Sequence, residues 1–554
     1  MDWQRNLLIV AIVAVLALLF IRWNDFQAQR NVARAPVASD QIVVPEVAQG
    51  SVQMPAPGAG ASAIPSTAVQ EPEETAPTAS RLVTVTTDNL EIVIDTYGGD
   101  IVRAALLKFP RTLEEGSDPT VILNRTNGHT YIAQSGLIGR DGTDTNQGRA
   151  QFSVAADSFR LAPGADELSV DLVAHQGDVK ITKRFVLRRG DYLIDVDYIV
   201  ENQGQNTWQA AVFGQIQRDD HEPPAGDGVG MKPFLGAAIT TPDTNYKKVS
   251  FKDLRDSEFK TDKTGGWVAM AQHYFLSAWI PDQSANNSFT LRKLAQGDLY
   301  AFGFISPTVE VAPGQAAVLD SAFYVGPKDQ YRLAEISPHL DLTVDYGWLW
   351  WIAKPIFYVM TLIHGLVGNW GWSIILLTVL IKLAFFQLSA ASYRSMAKMR
   401  KLQPEMARLK DLYGDDRQKL SQEMMAFYKK EKVNPLGGCL PILVQMPVFI
   451  ALYWVLFESV ELRQAPWILW ITDLSVKDPY FVLPVLNGIC MYITTLLQPM
   501  PPDPMQAKVM KIMPVAFSFL FAFFPAGLVL YWTVNSLLSI AQQWYITRKI
   551  EAKG

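Results

Sequence analysis

Cysteine is nearly absent from this chain: two among 554 residues, Cys439 and Cys490, both in the apolar C-terminal part. No disulfide framework can therefore stabilise the N-terminal part. Neither thiol has the CxxC or Cys/His spacing of a metal or redox site, and small apolar packing is the role they suit. The six histidines form no HxxxH pair, so the sequence offers no metal site and implies no cofactor. A GxxxxGK[ST] phosphate loop is also missing, which argues against ATP-driven transport by the chain itself. Nor is there an excess of base. The net charge is −5, which gives no reason to expect specific DNA as a partner.

What is present is unequally divided. Residues 24–345 carry 41 acids and 27 bases, a net of −14, whereas residues 346–554 carry 12 acids and 20 bases, a net of +8. An acidic, soluble part is joined to a basic, very apolar one. Residues 7–21 are apolar and bracketed by Trp3 and Trp23, which suits a signal-peptide core or a short first span; no small-x-small cleavage site follows, and an uncleaved signal anchor over residues 1–23 is expected. Residues 35–80 contain seven prolines among small and polar residues, so 24–80 reads as a disordered linker.

From about Arg81 the pattern changes to alternation. Tyr192, Ile194, Val196, Tyr198 and Val200 point one way, Asp195 and Asp197 the other, and the Leu90–Asp95 run repeats the habit before Gly98-Gly99. Residues 81–340 are thus expected to be a large antiparallel β-sandwich. Asp219, Asp220 and Glu222 suggest an acid/base pair acting on a sugar, but their Gly- and Pro-rich setting is that of an ordinary solvated loop.

Apolar runs then recur at 373–388, 440–457, 481–497 and 512–545. The last is too long for one crossing of about 30 Å of hydrocarbon and should break at Phe524-Pro525-Ala526-Gly527. Residues 512–524 would reach only about 20 Å, short enough to thin a bilayer. The 391–439 connection holds 11 bases and 6 acids, the 458–480 connection 2 bases and 4 acids; the first is expected inside and the second outside. With the anchor this makes six spans, both termini cytoplasmic and the acidic domain outside. Residues 346–367, with three tryptophans at the start and Lys354-Pro355, read as a helix lying in the interface, within a segment bounded at 341–369. Within 391–439, Leu402, Met406, Leu409 and Tyr413, then Leu420, Met424 and Phe427, recur at helical spacing around a Gly414-Asp415-Asp416 turn: a helical hairpin. Its bases, among them Arg394, Lys398, Arg400, Lys401, Arg408 and Lys410, suit a solvated face, or contact with anionic lipid or the ribosome's RNA. Lys382 stands inside the 373–388 run. A charge there costs on the order of 3 kcal/mol at the bilayer centre, so it either snorkels to the inner headgroups or faces a wet cavity.

Gly368-Asn-Trp-Gly-Trp-Ser373, Ser395-Met-Ala-Lys-Met-Arg400, Lys432-Val-Asn-Pro-Leu-Gly-Gly-Cys-Leu-Pro441, Gln445-Met-Pro447, Asp503-Pro-Met-Gln506 and Pro525-Ala-Gly-Leu-Val-Leu-Tyr531 together resemble the YidC/Oxa/Alb insertase family in its Gram-negative bacterial form. The resemblance implies a polytopic α-helical inner-membrane protein with a periplasmic supersandwich like that of sugar mutarotases. It also implies five core spans in residues 370–554 enclosing a hydrophilic groove open to the cytoplasm and to lipid. By the same resemblance Lys382 stands where the family usually has arginine, and Thr378, Tyr531 and Trp532 match groove positions that contact substrate. Trp532 replaces a common tyrosine, and a flexible ammonium replaces a planar fork.

The implied activity is not enzymatic. Nascent inner-membrane proteins would pass from the cytoplasm into the bilayer, alone or with the Sec translocon and a translating ribosome, driven by transfer of their apolar spans into lipid. Methionines suit such a surface: eleven of 16 lie from Met396 onward, though plain core filling explains most of them. Two other readings remain, an anion transporter using Lys382 and a membrane-anchored carbohydrate-binding protein using the sandwich.

Overall fold

The alternation of residues 81–340 is realised as strands with one face inward. In Leu193–Asn202, Ile194, Val196, Tyr198 and Val200 are fully buried while Asp195 and Asp197 are half-exposed. The computed structural model describes residues 81–551 except 127, 146–147, 222–232, 296, 415, 432–439 and 499–503. The anchor and linker expected over 1–80 lie outside these, as does Glu222. Two units are separated at Val344/Asp345.

The first unit stacks a sheet of eleven strands on one of ten. Pairing is antiparallel except where Thr84–Thr86 runs parallel to Ser158–Arg160. In the larger sheet His129–Ile138 lies beside Trp208–Asp219. In the smaller, Ser321–Pro327 lies between Phe275–Pro281 and Leu193–Asn202. Two short helices complete it, α1 (Phe251–Asp256), opened by a Ser250/Asp253 capping box, and α2 (Gln330–Ile336), capped by Asp329.

Sequence pattern gives no warning of the charge buried between the sheets. Lys183 is wholly buried, its amine donating to the carbonyls of Gly98 (3.1 Å), Gly99 (2.8 Å) and Ser135 (3.0 Å). Beside it Arg149 pairs with Asp100 and Asp144. Gly98 and Gly99 have φ of +81° and +66°, and a Cβ on either would overlap Arg149 or Lys183. The Gly-Gly turn is therefore required twice, by backbone and by close approach.

In the second unit, apolar helical runs give α3 (Trp350–Val367), α4 (Trp370–Ala384), α5 (Phe386–Lys401), α6 (Gln403–Tyr413), α7 (Arg417–Lys430), α8 (Leu440–Glu458), α9 (Val482–Leu497), α10 (Pro504–Phe521) and α11 (Ala526–Glu551). The hairpin is α6 and α7. The 512–545 run breaks between Phe521 and Ala526 as its Pro-Ala-Gly sequence requires.

Three features differ from expectation. Among the described residues, Gly347–Val367 is the one continuous helix long and apolar enough to cross a membrane by length and composition, though it reads as interfacial from sequence. Helix α10 begins at Pro504, ahead of the apolar run expected from residue 512, and takes in Lys508 and Lys511, so its 18 residues reach about 27 Å. The short helices are instead α4 and α9, of 15 and 16 residues, about 22 and 24 Å. Finally, the 373–388 run is two helices: the chain bends by 67° between α4 and α5.

Candidate functional site

Helix α4 is opened by Asn369, whose side chain accepts the Trp372 N–H at 3.1 Å, and closed at Phe385, whose N–H reaches the Ile381 and Leu383 carbonyls. Lys382 consequently stands in the last turn of α4, where a cation complements the helix dipole. It is only 9% exposed, and its Nζ donates to Ser539 Oγ of α11 at 2.8 Å. No countercharge is at hand within these helices. Asp and Glu are absent from α4, α9 and α10 and occur only as the last residue of α8 (Glu458) and of α11 (Glu551).

Ser539 belongs to a pattern. Trp532, Asn535, Ser539 and Gln542 recur at three- and four-residue intervals and so share one face of α11. Asn535 Oδ1 accepts from Gln445 Nε2 of α8 at 2.7 Å. Ser539 donates to the Asn535 carbonyl at 2.7 Å, and Gln542 Nε2 to the Phe386 carbonyl at 3.2 Å. A polar seam thus runs between α4, α8 and α11. The other faces are apolar and bare, as at Leu383 of α4 and Phe519 of α10, 62% and 72% exposed.

The four expected groove residues do not form one cluster. Thr378 lies one turn before Lys382, is buried, and spends its hydroxyl on the Ile374 carbonyl at 2.6 Å. Tyr531 and Trp532 sit about two turns, or roughly 10 Å, before Ser539 along α11. Both pack on Phe449 of α8, with ring centroids at 6.1 and 4.6 Å, and Trp532 also meets Phe521 of α10 at 5.4 Å. The Trp532 indole N–H is buried without a hydrogen-bond partner among the described residues. Lysine end and aromatic end are therefore two parts of one seam. Gln445 entered the sequence reading only within the Gln445-Met-Pro447 motif, and Asn535 and Ser539 were not singled out, although their polar spacing along an apolar helix is a readable signal.

The basic residues assigned to the hairpin fall mostly before it. Arg394, Lys398, Arg400 and Lys401 are on α5 and exposed; Arg408, exposed, and Lys410, half-buried, are on α6. Arg394, Lys398 and Lys401 share one face by their spacing.

In the sandwich, two of the three carboxylates considered for sugar chemistry, Asp219 and Asp220, are engaged by neighbouring groups. Asp219 accepts from Thr130 N–H (2.7 Å) and His221 N–H (3.0 Å) and pairs with His129 (2.8 Å), while Asp220 pairs with Arg255 at 2.9 Å.

A β-sandwich followed by apolar helices that share a polar seam and a lysine without countercharge among the described residues defines a helical membrane protein with a folded extramembrane domain. Comparison with known proteins is more specific. A family model described as the YidC periplasmic domain matches residues 82–359, and one described as the 60Kd inner membrane protein matches residues 362–553. The chain is 54% identical to the membrane protein insertase YidC of Cellvibrio japonicus over 100% of its own length and 99% of that protein's. It is 53% identical to the YidC of Saccharophagus degradans over the whole of both. A solved structure of an active YidC insertase with its first transmembrane domain resolved aligns at 20% identity and a TM-score of 0.38, over 84% of this chain and 95% of that one. This chain belongs to the YidC family of membrane protein insertases.

Proposed function

We propose that the chain receives nascent inner-membrane proteins from the cytoplasm and passes them into the bilayer along the seam between α4, α8 and α11. The observation that carries this is the Lys382–Ser539 contact: a cation without countercharge among the described residues, held by one neutral hydroxyl, at one end of a row of amides and hydroxyls inside apolar helices. Such a row attracts the acidic flank of an incoming segment and gives it polar neighbours while its apolar span leaves sideways into lipid. Transfer of that span from water to lipid supplies the work. The barrier is lowered further where α4 and α9, about 22 and 24 Å long, face a hydrocarbon layer of about 30 Å and thin it.

In this reading the anchor at 1–23, α4, α8, α9, α10 and α11 are the six spans, with both termini cytoplasmic. Helix α3 lies in the outer interface, the 81–340 sandwich is periplasmic, and the hairpin with the basic face of α5 is cytoplasmic, beside anionic lipid and a translating ribosome. Handover from the Sec translocon and unaided insertion both fit the seam. Thr378, Lys382, Tyr531 and Trp532 are the contacting residues, joined by Gln445, Asn535 and Ser539, and no step requires an enzyme's chemistry.

The test is photocrosslinking from a ribosome-stalled membrane protein with a photoreactive residue in its first span. Adducts in α4 and α11 are expected. Adducts confined to the sandwich, or none at all, would remove the seam as the substrate path.

A further inference from the structure

The loop between α8 and α9 ties together the starts of three helices. The carbonyls of Val476 and Leu474 accept the N–H groups of Ala526 (2.7 Å) and Gly527 (2.9 Å) at the start of α11. Asp478 accepts from the Leu483 N–H of α9 at 2.7 Å. The carbonyls of Pro466 and Trp467 accept from the Asn369 side chain, the cap of α4, at 3.0 and 3.3 Å. The loop therefore has a fixed height on the helices.

Its tip is nevertheless apolar and bare. Leu469 is 80% exposed and Ile468 39%. Leu469 also holds a left-handed backbone, φ +53°, which a leucine adopts only under strain and which suits asparagine or glycine better. In water, asparagine would be preferable on both counts. Leucine gains only if its side chain leaves water. The tip lies beside the starts of α4 and α9, the two shortest of the proposed spans among the described helices, so apolar height is added where it is most lacking. Trp372 and Tyr480, 46% and 70% exposed, flank it with the aromatic side chains that favour the headgroup level.

We infer that the 466–471 tip is a lipid-inserted foot: Ile468 and Leu469 enter the acyl boundary of the outer leaflet, and phospholipid is what covers them. This rests on the outward orientation of the loop proposed above. The foot sets the depth at which the Lys382-bearing helix sits, because Asn369 couples the two.

The full chain carrying Cys439→Ser, Cys490→Ser and Leu469→Cys, labelled at 469 with an environment-sensitive fluorophore and reconstituted in phospholipid vesicles, tests it. Lipid with a nitroxide just below the headgroup should remove about half of the emission, and aqueous iodide little of it, as for a residue at the acyl boundary. Quenching by iodide alone would overturn the inference. So would protection from both quenchers, which would mean that protein covers the tip. Thr472→Cys in the same background should react with an impermeant maleimide outside intact spheroplasts. Reaction only after permeabilisation would overturn the orientation and, with it, the outer leaflet. Leu469→Asn relieves the backbone and should leave thermal unfolding in detergent unchanged while reducing insertion in thick bilayers. Equal insertion at every thickness would speak against a depth-setting role.

Discussion

Lys382 and Ser539, 157 residues apart in sequence, meet at 2.8 Å, and this contact joins α4 to the polar face of α11. Lys382→Arg should keep activity. Lys382→Glu should impair a client with an acidic translocated tail more than its neutral counterpart, because like charges repel across the seam. Lys382→Leu should lose the preference without unfolding, since it relieves an insertion cost of about 3 kcal/mol. Insertion efficiency for the two clients is the measurement, and equal effects of Lys382→Glu on both would end the electrostatic role.

Gly371 lies against the Trp467 indole so closely that a methyl group at 371 would overlap the ring, while Trp372 meets the same indole edge-on at 6.0 Å. Gly371→Ala should therefore lower stability by about 1–3 kcal/mol, the usual cost of overpacking, although alanine is the better helix former. Thermal unfolding in detergent reads this directly, and an unchanged midpoint would show that the loop yields without cost.

Asp197 gives the sandwich a pH dependence. Burial first, then the neighbouring Asp320 and Asp195, push its carboxyl up to about 6. An unfolded aspartate titrates near 3.9, so between about pH 4 and 6 the folded state holds the extra proton. Stability from this group falls as pH rises through that window. Asp197→Asn should accordingly stabilise the domain at pH 7.5, by on the order of 1 kcal/mol after allowance for solvent screening, and hardly at all at pH 4. An equal gain at both values would exclude the titration.

Sidedness follows from the loop charges. Ser158→Cys, on an exposed strand position, should react with an impermeant thiol reagent from outside, whereas Ser421→Cys of α7 and Lys553→Cys should not. Reaction of Lys553→Cys in sealed cells would contradict six spans.

The sandwich was legible because period-two alternation in a half-buried strand is a direct imprint of burial. The hairpin and the Pro525 break were legible for similar local reasons. The bend at Phe385 was not, since Ala384-Phe385-Phe386 reads as unbroken apolar helix and the turn belongs to the tertiary setting, where Gln542 takes up the Phe386 carbonyl. The start of α10 was hidden because lysines at a helix beginning look like a loop. Lys183 and Arg149 look like surface residues until the Gly98-Gly99 carbonyls and the Asp100 and Asp144 carboxylates surround them. The partner of Lys382 is an ordinary serine, and the rest of the seam is asparagine and glutamine, conspicuous only once α4 and α11 are side by side.

The smaller sheet has an order of assembly written into it. Ser321–Pro327, the last strand of the domain in sequence, lies between Phe275–Pro281 and Leu193–Asn202 and joins the two halves of that sheet. Until those seven residues arrive, one half has no neighbour on its Phe275–Pro281 edge, and the other carries on that side of Leu193–Asn202 only the short Ala316–Leu319 strand, so the two halves stay apart. With no cysteine to hold partial structures, the domain waits for its final strand. Only a short stretch of chain then separates that event from α3, so completion of the sandwich and arrival of the C-terminal helices are nearly simultaneous steps in the protein's own synthesis.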